Sequence, residues 1–134
     1  MTTSVLLLSL GTSALSGAQQ AQAKPFLIQG KLPHLSMMVK VLWDDEDLAL
    51  TQEQKSKLLV IRQETMSGAK ALGAQIRPLE TEIVQASLDG TKPEALKEKV
   101  AHLASLRARA TMIHLDCIYN TRAVLTKEQL YVLE

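Results

Sequence analysis

The sequence predicts an all-α protein, a bent long helical hairpin with short flanking helices behind an N-terminal export signal. Three observations lead there. Apolar residues recur at alternating steps of three and four over two long stretches, the spacing of helices packed along a seam. Two copies of a Leu-Thr-x-x-Gln pattern stand at the outer ends of those stretches and read as helix starts. No segment alternates apolar and polar residues for long enough to form a strand.

Residues 1–23 read as a signal peptide. Val5 to Leu10 form a short apolar run, and Ala21-Gln22-Ala23 supplies the small-x-small pattern of a cleavage site, which would leave Lys24 first. Residues 1–4 depart from the usual leader in carrying no Lys or Arg. The apolar run is far short of the ~20 residues a membrane span needs, so no stable membrane insertion is expected. Residues 24–34 mix Pro, Gly and polar residues without a period and read as a flexible lead-in to a helical domain over 35–134.

Leu35, Met38, Val39, Leu42 and Trp43 fall at helical spacing and predict a short first helix, ended by the acids Asp44 to Asp47. The second helix is expected to start at Thr51, where a Thr hydroxyl and the Gln54 side chain can each satisfy the other residue's backbone amide. Its seam is Leu58, Ile61, Thr65, Ala69, Leu72, Ile76, Leu79 and Ile83, with a bend expected between Ala74 and Pro78 because proline removes a backbone donor. Ser87 to Glu94 is the hairpin turn: Gly90 suits a helix end, while Thr91-x-x-Glu94 and Pro93 suit a start. The third helix carries Leu96, Leu103, Ala110, Cys117 and Val124 at heptads, with Val100, Leu106 and Ile113 filling the seam. Thr126 to Gln129 starts a last helix, with Leu125 and Leu130 placed as a hydrophobic staple.

The bulk numbers agree with this plan. A chain of 134 residues, 46% hydrophobic but only 3% aromatic, suits one domain with a thin core of Leu and Ala. Two such helices cannot bury both of their apolar faces alone, so a homodimer is expected. Fifteen basic residues against 14 acidic ones provide no global field to hold nucleic acid or an anionic membrane. The single cysteine, Cys117, excludes an internal disulfide and reads as a small buried helix residue.

The segments Leu50-Thr51-Gln52-Glu53-Gln54 and Leu125-Thr126-Lys127-Glu128-Gln129, one at each end of the hairpin and both behind an export signal, resemble the paired hallmark of the Spy/CpxP family of periplasmic stress proteins. Leu48-Ala49 before the first copy and Tyr119-Asn120-Thr121-Arg122 before the second also resemble that family. The resemblance implies a periplasmic, curved, antiparallel dimer that binds unfolded or misfolded envelope proteins without ATP. On physical grounds Leu50, Thr51, Gln54, Leu125, Thr126 and Gln129 need do nothing but cap and seat helices. Candidates for client contact are the adaptable side chains Met37, Met38, Met66 and Met112, with Arg62, Lys70 and Arg77 and, beside them, Lys55, Lys57, Arg107 and Arg109 as charged rim. Core filling and solvated faces compete with that reading at each position.

Two other classes compete. Relatives of the same architecture act in heavy-metal resistance or sensing, and His34, Met38 and His114 are the candidate ligands here for a divalent metal, with no His-x-x-x-His pair among them. Others restrain an envelope sensor kinase. An enzyme is not expected: no Gly-rich phosphate loop is present and no cofactor is implied. His114 and Cys117 share a helix face without any oxyanion site beside them.

Overall fold

The computed structural model describes residues 24–134, and the expected signal peptide over 1–23 lies outside the described residues. Four helices follow in order: α1 (Leu35–Val41), α2 (Gln52–Leu88), α3 (Pro93–Val124) and α4 (Lys127–Leu133). Helices α2 and α3 pack antiparallel along their length, and α1 and α4 fold back over the end where the hairpin opens. No strand occurs among the described residues.

The seam follows the sequence periodicity. On α2, Leu58, Leu72 and Ile76 are buried and Ile61, Thr65, Ala69, Leu79 and Ile83 half-buried. On α3, Leu96, Leu106, Ala110 and Cys117 are buried and Leu103, Ile113 and Val124 half-buried. Val100 is the exception, at 49% exposed, and Val84 and Leu88 near the turn on α2 are also in the open. Helix α2 runs unbroken through Gly68, Gly73 and Pro78; the proline forfeits one ladder bond without dividing the helix. Gly68 matters for close approach, since a Cβ there would lie 2.9 Å from Ile113 Cδ1 on α3.

The hairpin turn closes with a Schellman arrangement. Gly90, at φ +84°, lets the Thr91 amide donate to the Ala86 carbonyl and its own amide to Ser87. Thr91 thus stands one residue before the N-cap of α3 and does not cap that helix as the Thr-x-x-Glu pattern predicts. Lys92 takes the N-cap position without a side-chain bond, and Pro93 stands in the first turn as expected.

Helix α1 also ends sooner than the apolar spacing implies, at Val41, with Leu42 and Trp43 packing on the core from the turn that follows. The acids form that turn: the Asp45 carboxylate accepts from the amides of Asp47 (2.9 Å) and Leu48 (3.3 Å). Two separate cores result. One gathers Val39, Leu48, Leu58, Leu125 and Leu133 where all four helices meet, and the other joins Leu72, Ile76, Leu106 and Ala110 in mid-hairpin, with Phe26 of the lead-in packed against it.

Candidate functional site

The two Leu-Thr-x-x-Gln segments meet. Each forms a complete capping box: the Thr51 hydroxyl accepts from the Gln54 amide, the Thr126 hydroxyl from the Gln129 amide, and each Gln Oε1 accepts in return from its threonine's N–H at 3.0 Å. The two side-chain amides then bond each other reciprocally, Gln54 Nε2 to Gln129 Oε1 at 2.7 Å and Gln129 Nε2 to Gln54 Oε1 at 3.0 Å. Their remaining donor capacity reaches backbone carbonyls, Gln54 to Val124 (3.0 Å) and Gln129 to Leu48 (2.9 Å). Capping alone explains Thr and Gln at each motif; that the motifs bond across 75 residues is visible only in the fold. Ala49, held at φ +46°, turns the chain that brings the Leu48 carbonyl to Gln129, a backbone position that costs a non-glycine residue about 1–2 kcal/mol.

The lead-in has no helix or strand, yet it lies along one face of α3. The Leu27 amide donates to Thr111 Oγ1 (2.8 Å), whose hydroxyl donates to the Arg107 carbonyl, while Arg107 donates to the Lys24 carbonyl and pairs with Glu80. Phe26 and His34 then enclose His114, with ring centroids 4.8 and 4.9 Å from it. His114 is 6% exposed and its Nδ1 has no hydrogen-bond partner. Its burial, with His34 and Lys24 nearby, holds it below the ordinary imidazole pKa, opposed only by the Pro33 carbonyl beside the ring.

These contacts decide where the candidate metal ligands stand. His34 and His114 come together, but as rings stacked within 15° of parallel, so their in-plane lone pairs do not converge on a common point. Met38 packs into the core around Val39 and Leu48. Among the described residues no three His, Cys, Asp or Glu side chains gather as a metal group.

The opposite face of the hairpin is uncovered. A continuous trough runs between α2 and α3: a pocket of about 540 Å³ lined by Lys57, Val60, Ile61, Asn120 and Ala123, a narrower stretch past Glu64 and Asp116, and a pocket of about 590 Å³ lined by Ala71, Gln75, Ala108, Arg109, Met112 and Ile113. Ile61 and Asn120 line both the first pocket and the narrows, and Ile113 lines both the narrows and the second pocket. Apolar wells at either end are thus joined through an acidic waist, with Lys57 and Arg109 as the basic rim.

Of the contact candidates, Met112 (55% exposed), Arg109 and Lys57 line this trough. Met66, Lys70 and Arg77 are exposed elsewhere on α2, and Met37 on α1. Lys55 pairs with Asp44 and sits 5.6 Å from the Trp43 ring; Arg107 is engaged under the lead-in; Arg62 lines a different pocket beside α1. As part of a surface, Val60, Ile61 and Asn120 are not legible in the sequence, which gives Ile61 only as a seam position and Asn120 only in the run before the second motif. Ile61 is a seam residue by spacing and Val60 its neighbour, so only the splay between the helices makes them a surface.

Compared with protein-family models, with curated proteins and with solved structures, the chain matches none.

Proposed function

We propose that this protein is an ATP-independent, chaperone-like protein of the bacterial periplasm that holds unfolded envelope proteins against the trough between α2 and α3. The observation that carries the reading is the asymmetry of the hairpin. One face is closed by the chain's own lead-in and α1, whereas the other leaves apolar wells open beside both acidic and basic groups. An unfolded chain offers apolar side chains every few residues among charges of either sign, and a shallow trough with Met112 and branched aliphatic walls can accept many such segments weakly. Export is supported by the sequence of residues 1–23, and no helix among the described residues is long and apolar enough to cross a membrane. The bare Val84, Leu88 and Val100 near the hairpin turn support pairing of two copies.

Light scattering of an unrelated, chemically denatured protein diluted into buffer tests this. The purified chain at near-stoichiometric ratio, without nucleotide, is expected to suppress the scattering equally with a chelator and with added zinc or nickel. Absence of suppression under every condition contradicts it.

A further inference from the structure

The pocket that α1 makes with α2 and α3 differs in kind from the trough. It is small, about 320 Å³, at the lower end of the range for small-molecule sites. Its walls are Trp43, Leu58 and Leu59, and it contains no carboxylate of its own. Two cations, Lys40 and Arg62, line it, and neither has an ion-pair partner among the described residues. Thr121 adds an independent sign. It lines the same pocket, is 0% exposed, and its hydroxyl has no hydrogen-bond partner, although a hydroxyl can both donate and accept.

From this combination we infer that the pocket binds a small amphipathic carboxylate. Its apolar chain lies against Trp43, Leu58 and Leu59, and its carboxylate is held by Lys40 and Arg62. The positive lining without internal acid selects an anion, and the apolar walls select one with a hydrocarbon tail over inorganic anions. The assignment is independent of client binding in the trough, which lies on the other side of the hairpin and shares none of these residues.

Trp43 is the chain's one tryptophan, so its emission reports on the pocket directly. Decanoate, titrated below its micelle concentration into the whole purified protein, is expected to change that emission saturably, decanol to bind at least roughly tenfold more weakly, and acetate to do nothing. Arg62→Gln and Lys40→Gln should each weaken decanoate about tenfold, the worth of one charge-assisted hydrogen bond, while Arg62→Lys retains most of the affinity. Circular dichroism melts confirm that each variant folds. Equal binding of decanol and decanoate, indifference to both glutamine substitutions, or no saturable response overturns the inference. So does an emission change that tracks protein concentration without ligand, which would place a second copy of the chain in the pocket.

Discussion

At the open end of the hairpin, α1, α2, α3 and α4 converge on Leu48 and on the paired amides of Gln54 and Gln129, and the polar atoms there bond one another across the chain. At the turn end, α2 and α3 have only each other, and Val84, Leu88 and Val100 stand 57%, 76% and 49% exposed. The difference follows from supply. Two helices present only a narrow seam to each other, so a thick core forms only where additional segments fold over it. The lead-in extends that cover to mid-hairpin through Phe26, on one face alone. A molecule built this way is locked at one end and leaves apolar surface free at the other end and along one side.

The contrast can be broken most sharply at its center. Leu48→Ala, at a residue 0% exposed in the four-helix core, is expected to cost about 3 kcal/mol in chemical denaturation, and a cost under 1 kcal/mol would mean that the end is not locked by packing. Gln129→Ala should cost about 2 kcal/mol, because it strands the Leu48 carbonyl and the Thr126 amide and removes Gln54's partner. The double change with Gln54→Ala should cost less than the sum of the two single changes by about 1 kcal/mol; strict additivity would show that the motifs act as separate caps.

Acidity probes the lead-in. The folded pKa of His114 lies below its unfolded value of about 6.5, so the unfolded chain takes up a proton first. Stability is therefore unaffected by this group well above pH 6.5 and falls as the pH drops from there toward the lowered folded pKa. His114→Phe, which keeps a ring between Phe26 and His34, should flatten that slope in melts across pH 7.5 to 5. The smallest effect is expected at the turn end: Val84→Ser, Leu88→Ser and Val100→Ser, at low protein concentration, should each stay within about 0.5 kcal/mol of the parent.

Much of this architecture was legible in the residues. The seam of α2 and α3 follows from three- and four-residue steps, and both capping boxes from Thr and Gln three apart, because those rules act within one or two turns of helix. What depended on distant partners was not legible. Phe26 looks like part of an irregular leader until Thr111, on α3, supplies a partner for the Leu27 amide. His114 reads as a possible ligand until Phe26 and His34 enclose its ring. Thr91 reads as a cap until Gly90 draws its amide back to Ala86. The trough was half visible: Met112 and Arg109 could be named as contact candidates, but the choice of open face rests on where the lead-in and α1 lie, which periodicity does not encode.

The most direct test of the account is the aggregation assay repeated with the Val60→Asp, Met112→Asp double variant, which places a charge in each apolar well of the trough at positions 55% exposed. The account predicts a melting temperature within a few degrees of the parent and loss of most of the suppression. Full suppression by a stably folded double variant would contradict it.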